Sequence, residues 1–125
     1  YLKKHGWEVH DFLVPVEIDG ILYSHYFYNP YTGKPYGGTV HTMLKTIGHS
    51  FTQGHKQGLD FARRALPSGE SQIGIVAGSF YQHDEAYKGP QAQNHWRGVI
   101  MKHEVKDGGY DPMLISLDYL RRRYG

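Results

Sequence analysis

Cysteine is absent from the 125 residues, which excludes disulfide scaffolds, cysteine-based zinc ribbons and thiol nucleophiles together. The absence fits a reducing, cytoplasmic setting. No apolar run approaches the roughly 18 residues of a membrane span, so no membrane association is expected. Charge of one sign is scarce as well. Fourteen Lys and Arg face 12 Asp and Glu, a formal +2, too small and too mixed for the basic footprint of a dedicated nucleic-acid binder. The opening Tyr1-Leu2-Lys3-Lys4-His5-Gly6 has neither an initiator Met nor an apolar signal core, and the chain reads as cut at its front.

What remains is the composition of one globular unit. Hydrophobic residues make up 39% and charged residues 21%, and the length suits a single core. Neither an internal repeat nor a Ser/Gly linker divides it. Sixteen Gly and 6 Pro point to many turns, and 9 His with 11 Tyr enrich the chain in side chains that bind metals and line polar pockets.

Local patterns place the elements. Glu8 to Ile18 reads as a strand, Asp19-Gly20 as a hairpin turn that needs positive φ, and Ile21 to Tyr28 as the return strand. Two Pro and three Gly make Asn29 to Gly38 an irregular loop. Thr39 then caps a short helix whose Val40, Met43 and Leu44 share a face and which ends near Gly48. Thr46 to His49 fits either the close of that helix or a buried strand, and Leu59 to Leu66 is equally ambiguous. After a turn at Pro67-Ser68-Gly69-Glu70, Gln72 to Phe80 reads as a buried strand. Gln82 to Gln93 reads as a surface loop. Trp96 to Val105 and Met113 to Ile115 pair across Asp107-Gly108-Gly109. Ser116 caps a last helix, Leu117 to Tyr124, whose Arg121, Arg122 and Arg123 complement the helix dipole at a solvated end.

Two histidines fall where strands end, the place where layered α/β folds build sites: His25 in Tyr23-Ser24-His25-Tyr26-Phe27, and His49 in Ile47-Gly48-His49-Ser50-Phe51. A glycine before a histidine lets backbone and ring approach a bound ion closely. With Val76-Ala77-Gly78-Ser79-Phe80, Trp96-Arg97-Gly98-Val99, Asp107-Gly108-Gly109-Tyr110-Asp111 and Ile115-Ser116-Leu117, these segments resemble, in order and spacing over nearly the whole chain, the carboxy-terminal half of calcineurin-like metallophosphoesterases, most closely the phage-type members. The resemblance implies an α+β or α/β fold, a β-sandwich flanked by helices, with a two-metal centre in loops at the strand ends.

It further implies a hydrolase that cleaves a phosphomonoester or phosphodiester through a metal-bound hydroxide. Its partner would be a phosphoester substrate, among which nucleotides and nucleic acids are included. His25 would take the place of the family's lone histidine, and His49 that of the first histidine of its Gly-His-x-His motif, both on one ion and His49 also in the catalytic role. The second histidine of that motif corresponds to Phe51, which has no lone pair to donate; His55 is the candidate replacement ligand. Manganese, iron and zinc all suit imidazole and carboxylate donors.

The family's amino-terminal motifs, Asp-x-His, Gly-Asp and Gly-Asn-His, are absent from the chain, and Asn94-His95 lies in the wrong order to replace the last. A two-metal centre needs a bridging anionic oxygen, and none of Asp19, Asp60, Asp84, Glu85 and Asp111 is spaced as a partner for His25 or His49. The expectation is therefore half of a catalytic domain that needs an upstream half or a partner chain and exposes an apolar sheet edge without it. The alternative is a non-catalytic scaffold or interaction module derived from that fold. His41, His83-Asp84-Glu85, His95-Trp96-Arg97 and the loop tyrosines Tyr26, Tyr28, Tyr31 and Tyr36 are each read first as surface or packing residues.

Overall fold

The computed structural model describes residues 1–80 and 95–125. The expected 82–93 loop, with His83, Asp84 and Glu85, lies outside the described residues, as does Asn94.

Asp19 and Gly20 take φ of 52° and 82°, a two-residue type I′ turn whose twist matches that of the strands it joins. It connects β1 (Val16–Ile18) to β2 (Ile21–Ser24), with Ile18 opposite Ile21. β1 begins eight residues later than its pattern suggested, because Leu13 has φ of 64° and Pro15 brings no N–H to a ladder. β2 stops at Ser24, whose hydroxyl donates to the Tyr26 carbonyl at 2.9 Å; Phe27 and Tyr28 then pair locally with Tyr36 and Pro35.

Helix α1 (Val40–Ile47) has both expected caps. Thr39 Oγ1 accepts from the Thr42 N–H at 3.3 Å, and Gly48 closes it in the left-handed conformation, φ 71°. Thr46 and Ile47 are thus the end of a helix. β3 (Phe51–Gln53), β4 (Leu59–Ala65) and β5 (Ser71–Ala77) complete a five-stranded mixed sheet of order β1-β2-β3-β5-β4, in which β3 runs parallel to both β2 and β5. β3 has no counterpart in the sequence reading. The ambiguous Leu59–Leu66 segment is strand, closed on β5 by Leu66 N–H donating to Glu70 O at 2.8 Å.

The two-residue period of the strands divides the core. One sheet face carries Leu22, Phe51 and Val76, which pack with Phe27 and with Val40, Met43 and Leu44 of α1. The helix can come so close because Gly74 has no side chain: a Cβ there would lie 2.7 Å from Val40 Cγ1 and 2.8 Å from Phe51 Cε1. The other face carries Ile21, Tyr23, Ile73, Ile75 and Ala77, covered by Ile100, Val105 and Tyr110. These belong to a second sheet, the hairpin of β6 (Gly98–Lys106) and β7 (Gly109–Ser116), again turned by an Asp-Gly pair, Asp107 and Gly108 at φ 51° and 83°. Gly108 N–H donates to Asp19 O at 2.9 Å, so the two turns pack on each other. Helix α2 (Leu117–Tyr124) follows, with Ser116 Oγ accepting from Tyr119 N–H at 3.1 Å and its three arginines in the exposed last turn.

The architecture is mixed α/β: helix, five-stranded sheet and hairpin in layers. Among the described residues no helix is long and apolar enough to cross a membrane. Large apolar side chains remain open to solvent, including Ile18 on β1, Phe61 on β4, Met101 and Met113 paired on the outer face of the hairpin, and Leu114 beside them on β7.

Candidate functional site

Because β2 and β3 are parallel neighbours, their carboxyl ends leave the sheet side by side. Ser24 is level with Gln53, so the next residues are His25 on one strand and Gly54-His55 on the other. The rings meet there: His55 Nδ1 and His25 Nε2 are 3.1 Å apart. Both residues are exposed. Aromatic rings surround the pair, with Tyr26 centred 5.1 Å from His55 and Phe12 centred 5.8 Å from His25. His55 has φ of 66°, a conformation that costs a non-glycine residue of order 1 kcal/mol and is concentrated at functional sites. His25 and Gly54 line a cleft of about 390 Å³ whose other walls include His10, Asp11, Tyr23 and Thr52.

Two neutral imidazoles at this distance hold a single proton between them, one nitrogen donating and the other accepting. The same separation suits a shared ion. Two nitrogens bonded to one cation at about 2.0–2.1 Å, with an angle between right and tetrahedral, stand about 2.9–3.4 Å apart. The donor set therefore fits two ligands of one divalent ion. It does not reach a third: among the described residues no group of three His, Cys, Asp or Glu could hold a metal. The buried Gln53, which directly precedes Gly54-His55, carries an Oε1 with no hydrogen-bond partner among the described residues.

The expected partnership of His25 with His49 does not form. In the β2/β3 register His49 is level with Gly20, five positions from the level of His25, a distance of about 16 Å along the strand. It lies at the opposite end of the sheet, ahead of β3 where His25 follows β2. Its nitrogens are engaged there, Nδ1 with the Ser50 carbonyl at 2.8 Å and Nε2 with the Glu17 carboxylate at 3.4 Å. Phe51, aligned by resemblance with a second metal-binding histidine, is fully buried with its ring edge-on to Phe27 at 5.5 Å. The Gly-His step that reaches His25 is Gly54-His55, with Gln57 two positions later.

The carboxylates are occupied elsewhere. Asp60 Oδ2 accepts from Val40 N–H at 2.9 Å, capping α1 from β4, while Asp19 forms its turn and Asp111 is exposed on β7 opposite His103. His41 is exposed on α1, and Tyr28 and Tyr31 are exposed on their loop.

One group escaped the sequence reading. Lys102 lies on the inward side of β6, in step with Gly98 and Ile100, while Val99 and Met101 face outward. Its Nζ donates to Tyr23 Oη at 2.9 Å and to Thr52 Oγ1 at 2.5 Å, and sits over the Tyr23 and Tyr110 rings at 4.3 and 4.9 Å. Burial lowers its pKa to about 8, since the charged form loses water. Burial also raises the Tyr23 and Tyr110 phenols, aided at Tyr23 by the Asp19 charge and opposed at Tyr110 by the Thr52 hydroxyl. A lysine at an inward position of an alternating strand was the available signal.

No family model, curated protein or solved structure matches the chain.

Proposed function

We propose that the chain contributes His25 and His55 as two imidazole ligands of a divalent-metal site that hydrolyses phosphoesters, in a fold of the metallophosphoesterase type. The observation that carries this reading is the 3.1 Å approach of His55 Nδ1 to His25 Nε2 at the carboxyl ends of two parallel strands. Gly54-His55-Lys56-Gln57 supplies the Gly-His step of the family's Gly-His-x-His pattern, with Gln57 where the second histidine would stand.

A manganese, iron or zinc ion held there supplies Lewis acidity toward a phosphoryl oxygen and an activated water. The chain's own contribution is to hold two nitrogens in place, His25 by the end of β2 and His55 by the Gly54 turn. Tyr26 packs against the His55 ring and Phe12 against the His25 ring, which restricts how far each can swing. The remaining donors, the bridging carboxylate among them, come from outside the described residues.

Turnover of a chromogenic phosphodiester with manganese tests the proposal. Hydrolysis is expected to require the metal and to fall at least a hundredfold in His25→Ala and in His55→Ala, on the order of the loss when a metal site is dismantled, while His49→Ala retains it. Manganese bound through the two histidines without any turnover would favour the scaffold alternative. Hydrolysis indifferent to both substitutions would overturn the site.

A further inference from the structure

Lys102 is the cation that the proposed metal site leaves unused, and its surroundings are those of a binding group. No carboxylate lies within ion-pair distance of it among the described residues. Two of its three N–H bonds go to Tyr23 Oη and Thr52 Oγ1. Each hydroxyl accepts from the ammonium and so keeps its own proton to donate elsewhere. The third N–H is left for the cleft of about 430 Å³ in front of it, whose other walls are Ala77, Gly98, Ile100 and Met101. Apolar walls around one ammonium and two hydroxyls are the usual composition of a small-ligand site.

We infer that Lys102, Tyr23 and Thr52 form an oxyanion-binding subsite that takes a phosphoryl group. An anion there receives one charge-assisted hydrogen bond and two hydroxyl donors in a partly dehydrated setting, where such bonds are stronger than in water. It also restores the counter-charge that desolvation of the ammonium calls for. At neutral pH the amine still carries its proton, since its pKa is about 8.

The subsite adjoins the histidine pair. Tyr23 of β2 lies two residues before His25, Thr52 of β3 lies two before Gly54, and Tyr23, Thr52 and Ala77 wall both clefts. Resting on the phosphohydrolase reading, the substrates selected are phosphoesters that carry a second anionic group besides the scissile one, held at Lys102 while the ester lies toward His25 and His55.

The test uses the full chain in excess chelator, so that no divalent ion contributes, with inorganic phosphate as the probe and chloride at equal ionic strength as the control. Phosphate is expected to slow acetylation of Lys102, read by peptide mass mapping, about tenfold relative to exposed Lys45, because an anion held on the ammonium withdraws the free amine. By calorimetry, Lys102→Met weakens phosphate binding about tenfold or more, and Tyr23→Phe weakens it by less. The protection measurement needs no variant, so a misfolded Lys102→Met does not decide the matter. Phosphate that protects no better than chloride overturns the subsite, as does equal affinity in a folded Lys102→Met. Failure of the metal reading has a different signature: manganese binding lost or indifferent to His25 and His55, with phosphate protection in chelator intact.

Discussion

Nδ1 of His55 stands 3.1 Å from Nε2 of His25, across 30 residues of sequence, because two parallel strands end level with each other. A cation that binds this pair in the folded chain and not in the unfolded one stabilises the fold. At a hundred times its dissociation constant the gain is about 2.7 kcal/mol. Manganese is therefore expected to raise the unfolding midpoint of the wild-type chain, chelator to reverse the rise, and His25→Ala or His55→Ala to abolish it. His49→Ala should keep the full rise, since His49 sits at the other end of the sheet against Glu17. A rise of equal size in all four proteins would show that the ion binds elsewhere.

Asp60 ties helix α1 to the sheet through a hydrogen bond from the first N–H of the helix to its Oδ2, with Oδ1 accepting from its own neighbour, Phe61 N–H. An anionic acceptor at a helix N-terminus typically contributes about 1 kcal/mol. Asp60→Ala is expected to lower stability by about 1–2 kcal/mol in urea unfolding. Asp60→Asn, which keeps an acceptor, should lose about half as much. Neither should alter manganese binding, because the carboxylate has no part in the histidine site.

Much of the fold was legible because its signals are local. Asp19-Gly20 and Asp107-Gly108 specify their turns by the positive φ that both require, and Thr39, Gly48 and Ser116 mark helix ends by the chemistry of their side chains or lack of one. β3 was not legible. Its three residues Phe51, Thr52 and Gln53 are too few for a periodic pattern, and they are strand only because β2 and β5 supply partners on both sides. The misplaced histidine follows from that omission. With β3 unseen, Gly48-His49 and Gly54-His55 look alike in sequence; only the strand between them puts one before the sheet and the other after it. His25 needed no such knowledge, since it follows a strand that its hairpin turn had already located.

Gly74 offers a test of the packing between α1 and the sheet. A methyl group there meets Val40, Phe51 and Leu44 at 2.7 to 3.0 Å, closer than carbon atoms approach, and all three are fully buried. The helix must shift outward to admit it. Overpacking of this kind costs about 1–3 kcal/mol, so Gly74→Ala is expected to lose that much in urea unfolding. Gly33→Ala is a fair comparison for crowding, since no atom lies within 4 Å of the Cβ it would add; its loss, from positive φ alone, should be about 1 kcal/mol. A Gly74→Ala protein as stable as wild type would mean that the helix lies farther from the sheet.

Lys102 makes stability depend on pH with a definite sign. Its pKa is lowered from 10.5 to about 8 by burial, so between those values the unfolded chain holds the proton more tightly than the folded one. Stability rises with pH wherever the unfolded state binds more protons. Below about pH 8 the cost of burying the charge is fully present, and it is relieved as pH climbs toward 10.5. Allowing for partial exposure, the rise amounts to about 1–2 kcal/mol. Tyr23 and Tyr110 act in the opposite direction. Burial raises both phenols above their ordinary 10.0, so the unfolded chain loses those protons first and stability falls above about pH 10. Urea unfolding from pH 7 to 10.5 is expected to give a maximum near pH 10 in the wild-type chain, and in Lys102→Met only the descending limb. A flat profile below pH 10 in the wild type would mean that the ammonium is as well hydrated when folded as when unfolded, and the desolvation that favours an anion beside Lys102 would be gone.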